Sequence, residues 1–255
     1  MIPEYISKRI SKPANLKYIV EKSTPVVCFG DITKAKVITI GINPSSSEFT
    51  KIVNQERILL TGAERRLSDL ESLEAPTTES LRSDQIERVW LDCLNYFDGP
   101  YYEKWFSKMQ ETILTPLQAN YVGRTAAHID LIQWATDPLW KEMLEIDPIA
   151  AQEHLAEDLP FLEQQVEESE AKVFFLSGSP VIDAMRDKFQ LQDAGKTQVA
   201  GKRGQNKLYL GKWKDALVLG STMNISDSYT SNAHRAFLAS WIVSQARIQE
   251  LADTN

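Results

Sequence analysis

Lys36-Val37-Ile38-Thr39-Ile40-Gly41-Ile42-Asn43-Pro44-Ser45-Ser46-Ser47-Glu48-Phe49 is an apolar run that ends in a polar turn. Four of its first five residues are apolar or β-branched, which predicts a buried strand of the parallel kind, and Gly41 and Pro44 stop it abruptly. In an open α/β sheet, ligands bind beyond the carboxyl ends of the strands. This end offers an amide side chain, a rigid proline and three successive serines. Those features support a binding turn, and equally a plain strand-turn in which Ser45 to Ser47 cap a following helix.

Three further strands follow the same logic. Thr125 to Trp134 reads as a second strand, with His128, Asp130 and Ile132 on one face, where two polar side chains need partners or a task. Lys172 to Ser177 is a third, leading to a helix capped by Ser179 with Pro180 as its first residue. Ala216 to Ser221 is a fourth, followed by the polar loop Thr222 to Tyr229. Val26 to Asp31 reads as a short edge strand. Helical spacing is expected at 58–70, at 86–94, after Asp98-Gly99-Pro100 and from Leu139 to Glu170, where His154 is expected at the surface. The closing helix starts near Ser231 or Asn232, with Ala233, Phe237, Trp241 and Ile248 inward and Leu238 and Ile242 alongside. The acidic, serine- and threonine-rich stretch from Glu71 to Arg82 is expected to be a mobile loop. Strand-helix alternation predicts a three-layer α/β/α fold around a central, mostly parallel four-stranded sheet. A single domain spanning 1–255, with a helical insertion at about 50–120, fits the length of 255 residues.

The net charge of −7 argues against a protein that coats DNA nonspecifically, yet it leaves room for a local basic groove. From Gly195 to Lys214 every charged residue is basic, which suits phosphate contacts through Lys202, Arg203 and Lys207, or a solvated hairpin turn. Gly195-Lys196-Thr197 is not the end of a P-loop, because the glycine needed five residues earlier is Gln190. Two cysteines and three scattered histidines show no metal-ligand spacing, so neither a metal nor another cofactor is expected. No apolar stretch reaches the length of a membrane span, and the expected setting is the cytoplasm, without a membrane partner.

Taken in order, the polar strand ends resemble the uracil-DNA glycosylase superfamily. Gly41-Ile42-Asn43-Pro44-Ser45 is similar to the water-activating motif of its mismatch-specific G:T/U branch. Val173 to Pro180 resembles the third strand, which ends in a Gly-Ser pair before a helix. Asn224-Ile225-Ser226 resembles the second catalytic motif, and Ala233-His234-Arg235-Ala236-Phe237 the start of the helix after the DNA-intercalating loop. The resemblance covers roughly residues 36 to 245 in motif order and leaves 50–120 without a counterpart.

It implies a base-excision enzyme that flips a nucleotide out of single- or double-stranded DNA and hydrolyses its N-glycosidic bond. Asn43 would hold the water and Asn224 would stabilise the departing base. Pro44, Phe49, His128 and Asp130 would bind the base, with Phe49 stacking on it or packing in the core. Ser45, Ser179, Lys202, Arg203 and Ser226 would contact phosphates, and Tyr229 would wedge into the gap. A monomer is expected. Departures from the pattern leave two other readings open: a nucleic-acid-binding member without hydrolytic activity, or an enzyme of free nucleosides or nucleotides. Relatives carry an asparagine where Asp130 stands. An ionised aspartate only accepts hydrogen bonds and repels uracil O4, so either Asp130 is protonated by its surroundings, or it points at His128, or the base bound carries an exocyclic amine, as cytosine and adenine do.

Overall fold

The computed structural model describes residues 2–198, 205–223, 225 and 231–253. In chain order its main elements are α1 (Glu4–Ile10), β1 (Val37–Gly41), β2 (Thr50–Val53), β3 (Glu56–Leu59), α2 (Ser83–Leu94), α3 (Glu103–Met109), β4 (Ala126–Asp130), α4 (Trp140–Ile146), α5 (Pro148–Glu168), β5 (Val173–Ser177), α6 (Ser179–Met185), β6 (Gln192–Gln198), β7 (Gln205–Trp213), β8 (Ala216–Ser221) and α7 (Asn232–Asp253). The chain divides into two compact units. The first comprises Met1–Ile32, Ile42–Tyr102 and Ile129–Ser169, and the second Thr33–Gly41, Glu103–His128 and Glu170–Asn255.

The second unit carries the sheet, to which β4 contributes Ala126 to His128. Six strands lie in the order β4-β1-β5-β8-β7-β6. β1 pairs parallel with β5 and β5 with β8, while β7 runs antiparallel to both β8 and β6. Every residue of β1 and β8 is buried, as expected of strands covered on both faces. The α/β class and the mostly parallel sheet agree with the sequence reading; the expected count of four strands does not. The additional pair lies in the glycine- and lysine-rich stretch read as phosphate-binding or as a solvated turn. There Asn206 and Leu208 are buried between exposed Gln205 and Lys207, a period-two pattern masked by the lysines. Gly211 is fixed by packing, since a Cβ there would lie 2.3 Å from the Phe189 carbonyl oxygen.

α7 begins where expected but is rotated. His234, Leu238 and Ile242 face inward, and Phe237 and Ile248 are 46% and 60% exposed. Excluding the histidine from the apolar stripe displaced the predicted face by one residue.

The first unit is built on helices and irregular but buried chain. Ile132, Trp134, Trp140, Met143 and Ala151 form one apolar cluster, with Tyr18, Ile19, Ile42 and Leu155 against it. The helix expected at 58–70 is absent. Instead β2 and β3 form a hairpin through Asn54-Gln55, both at positive φ as a type I′ turn requires. Gln55 stands where glycine would have signalled that turn. Val26–Asp31 forms no named strand, but its backbone is paired piecemeal: Val26 N–H to the Gln133 carbonyl (2.7 Å), Gly30 N–H to the Cys93 carbonyl (2.8 Å), and the Val27 carbonyl to Gln165 Nε2 (2.6 Å). The stretch from Glu71 to Arg82, expected to be mobile, is tied down. Leu73 and Leu81 are buried, Thr78 Oγ1 donates to the Lys12 carbonyl at 2.6 Å, and Gln85 Nε2 donates to the Leu73 carbonyl at 2.5 Å.

His154, expected at the surface, is fully buried on α5, its Nε2 2.8 Å from the Lys17 carbonyl oxygen. One helical turn on, Asp158 accepts from Arg9 NH2 at 2.5 Å and from the Gln133 backbone N–H at 2.8 Å, and Arg9 Nε donates to Gln133 Oε1 at 3.1 Å. Burial pushes the Asp158 carboxyl above its ordinary range, opposed by the Arg9 guanidinium and the Gln133 N–H. Removing the cation strands a buried acid. Arg9→Met is therefore expected to cost about 3 kcal/mol of unfolding free energy in urea denaturation at pH 7. Adding Asp158→Asn, which keeps an acceptor for Gln133, should restore most of it.

Candidate functional site

After β1 the chain enters the first unit and is laid against the segment that follows β4. The Ile132 N–H donates to the Ile42 carbonyl at 2.9 Å, and Ser45 bridges in parallel to Thr136. Asn43 Nδ2 donates to the Pro44 carbonyl at 3.1 Å and to Thr136 Oγ1 at 2.9 Å. A carbonyl can only accept, so the amide orientation is determined and both of its N–H groups are used. Among the described residues no hydrogen bond reaches Asn43 Oδ1. The amide thus presents a fixed acceptor, able to orient a water but not to deprotonate it.

Ser45 Oγ accepts from the Ser47 N–H at 3.2 Å and caps the turn Ser46–Glu48, a single 3₁₀ turn in place of the longer helix the serines suggested. Arg57 NH1 donates to Ser46 Oγ and to Thr50 Oγ1, each at 3.0 Å, and its Nε is paired with Asp137 at 2.7 Å. Arg66 NH1 donates to the Ser47 carbonyl, and its guanidinium lies 5.9 Å from the centre of the Tyr102 ring.

The last residue of this turn, Glu48, is 2% exposed. The Tyr96 hydroxyl donates to its Oε2 at 2.5 Å, and that hydroxyl oxygen in turn accepts from the Tyr102 backbone N–H at 2.9 Å. Burial pushes the Glu48 carboxyl up to about 7, aided by the Asp130 charge and opposed by the Tyr96 hydrogen bond and the Arg66 charge. The Tyr96 hydroxyl is itself raised well above its ordinary value, chiefly by burial and then by the Glu48 charge. Asp130 is buried, and its backbone carbonyl accepts from Gln133 Nε2 at 2.9 Å. The first unit therefore gathers Asn43, Pro44, Ser45 and Asp130 from the sequence reading and adds Glu48, Tyr96, Arg66 and Thr136. Glu48 stood inside the decisive stretch, but nothing in its spacing separates a buried acid from one on a polar turn.

Other assignments fare differently. Phe49 is fully buried, the core alternative. His128 belongs to the second unit, where its Nδ1 lies 2.8 Å from Thr39 Oγ1 and that hydroxyl 2.7 Å from Tyr121 OH. The Trp105 and Phe106 rings stand 4.4 and 5.6 Å from the imidazole, so its polarity is met inside an aromatic cluster. Ser179 does not cap α6. Gly178 does, at φ 101°, a conformation serine rarely adopts, and Ser179 is exposed as the first helical residue. Asn224, Lys202, Arg203, Ser226 and Tyr229 lie outside the described residues.

At the end of β8, Ser221 Oγ and Thr222 Oγ1 donate to Asn206 Oδ1 at 3.0 and 3.2 Å, and Asn206 Nδ2 lies 3.0 Å from His234 Nε2. Two hydroxyl donors fix that amide, so Nδ2 donates and His234 Nε2 accepts. Burial lowers the His234 imidazole below its ordinary value, consistent with a neutral ring. Among the described residues no group of three His, Cys, Asp or Glu side chains is placed to hold a metal, and no helix is long and apolar enough to cross a membrane.

The raised Glu48 carboxyl has a consequence for stability. Below its ordinary 4.5 it is protonated whether the chain is folded or not; between there and about 7 only the folded chain keeps the proton. Its contribution to stability is thus intact below pH 4.5 and is lost as pH rises to about 7, by roughly 3 kcal/mol. Glu48→Gln should remove that pH-dependent loss, so that stability measured in urea from pH 4 to 8 shows the wild type falling away from the variant as pH rises. No protein-family model and no curated protein matches this sequence, which leaves the geometry of the turn after β1 as the ground for a functional reading.

Proposed function

We propose that this protein is a DNA glycosylase-like hydrolase, cleaving the N-glycosidic bond of a flipped-out damaged or mismatched base. The observation that carries the reading is the pinned amide of Asn43: both N–H groups are spent on Pro44 and Thr136, and the remaining oxygen is held as an acceptor at the turn after a buried parallel strand. That arrangement suits the orientation of a neutral nucleophile better than the binding of an anion, because an acceptor oxygen repels phosphate. The motif order that resembles the uracil-DNA glycosylase superfamily gives the same turn the same task.

In this mechanism the sugar C1′ develops oxocarbenium character as the base departs, and the water held by Asn43 attacks it. Asp130, at the place where the resemblance puts base recognition, offers acceptor oxygens when ionised. The substrate it fits is a base with an exocyclic amine facing it.

The test is strand cleavage by alkali after incubation with single- and double-stranded oligonucleotides carrying uracil, G·T mismatches, hypoxanthine, xanthine, and alkylated cytosine or adenine. Excision is expected from at least one substrate and, by the Asp130 argument, preferentially from an amine-bearing base. Asn43→Ala should lower single-turnover excision at least ~100-fold, and Thr136→Val, which frees one amide N–H, about tenfold. Salt-sensitive binding with no excision across the panel would instead mark a protein that binds nucleic acid without cleaving it.

A further inference from the structure

An amide orients water but cannot take its proton, so the hydrolysis proposed above needs a base that Asn43 does not supply. Glu48 is the carboxyl that stands on the same turn, five residues on. Its two oxygens are unequal. Oε2 accepts from Tyr96, whose single hydroxyl proton is committed there because its oxygen already accepts from the Tyr102 N–H. Among the described residues no hydrogen bond reaches Oε1. Arg66 adds a second unfilled valence: its Nε is buried and has no hydrogen-bond partner, while its NH1 holds the Ser47 carbonyl next to Glu48. A carboxyl oxygen without a donor on this turn, and a buried donor without an acceptor on the arginine that holds the turn, are what an incoming polar ligand would satisfy.

A purely structural role explains the acid poorly. A glutamine would accept the Tyr96 hydroxyl equally well, without the cost of desolvating a charge beside the Asp130 carboxyl. A destabilising group of this kind, carrying a proton that exchanges near neutral pH, is characteristic of a site that moves protons.

We propose that Glu48, positioned by Tyr96, is the general base of the reaction, accepting at Oε1 the proton of the water that Asn43 orients. The step balances. The water oxygen bonds to C1′ as the C1′–N bond breaks with its electron pair leaving on the base, the water's O–H bond yields its proton to Glu48, and that proton passes on to solvent or to the departed base anion. Tyr96 is a positioning residue: it holds one carboxyl oxygen and leaves the other to receive the proton, and its hydrogen bond stabilises the ionised form. This assignment rests on the glycosylase reading and names the group that reading lacks.

Single-turnover excision measured from pH 5 to 9 on the best substrate of the panel separates the two. The wild-type rate should rise about tenfold per pH unit on an acid limb and level off above roughly 7. Glu48→Gln, the more stable protein at neutral pH by the argument above, should lose at least ~100-fold and the acid limb with it, with substrate affinity retained. Glu48→Asp should keep the limb at a reduced rate. Tyr96→Phe should move the limb to higher pH, since it removes a bond that favours the carboxylate. A Glu48→Gln protein that keeps the limb and comes within threefold of the wild-type rate would overturn the role of Glu48 while leaving the glycosylase reading standing. A wild type that excises nothing from the panel would overturn both.

Discussion

The arrangement of the site depends on one strip of irregular chain, residues 130 to 136, being held against residues 42 to 45. A segment outside any sheet cannot satisfy its own backbone groups, and burial requires that others do so. Here the Ile132 N–H goes to Ile42, the Ala135 carbonyl takes the Val20 N–H, the Gln133 carbonyl takes the Val26 N–H, and the Gln133 N–H goes to Asp158. Thr136 then meets both Asn43 and Ser45. The amide geometry at Asn43 is thus inherited from α5 and α1, through Asp158 and Arg9, which anchor the strip from behind.

Two buried acids of the first unit show how partner chemistry divides structure from reactivity. Both Asp158 and Glu48 are pushed up by burial. Asp158 is met by a guanidinium at 2.5 Å and a backbone N–H at 2.8 Å, donors that hold both of its oxygens. Glu48 receives a neutral phenol on one oxygen only, with Asp130 opposing its ionisation. The first acid is locked by its counter-charge; the second is left free to exchange a proton. Burial alone does not distinguish them, and the number and charge of donors does.

What the sequence revealed followed physical signals of different strength. The four strands β1, β4, β5 and β8 are legible because full burial leaves apolar runs ended by glycine or polar turns, and α2 and α5 because of their 3.6-residue spacing. The end of β3 was read as the start of a helix, since Ile58, Leu59 and Leu70 satisfy a helical spacing, and the hairpin was missed because Asn54-Gln55 gives only half of a turn signal. β6 and β7 were hidden by lysines on the outer face. At the site, Asn43 was legible as a polar side chain ending a buried strand. Glu48, Thr136 and Arg66 were not, because their roles come from contacts across 48, 93 and 19 positions of chain, which no local pattern encodes. His154 was placed by the habit that histidines face water, and it is instead buried against the Lys17 carbonyl.

The two polar centres differ in what they can do with a proton. In the second unit one chain of bonds runs through Ser221, Thr222, Asn206 and His234: the hydroxyls donate to Asn206, Asn206 donates to His234, and the imidazole accepts at Nε2 as a neutral ring. Protonating His234 would set an N–H against the Asn206 amide donor and break the chain of bonds, so this cluster resists becoming charged. The proposed hydrolysis would separate orientation, performed by an amide whose protons are committed, from proton uptake at Oε1 of Glu48, to which no described group donates.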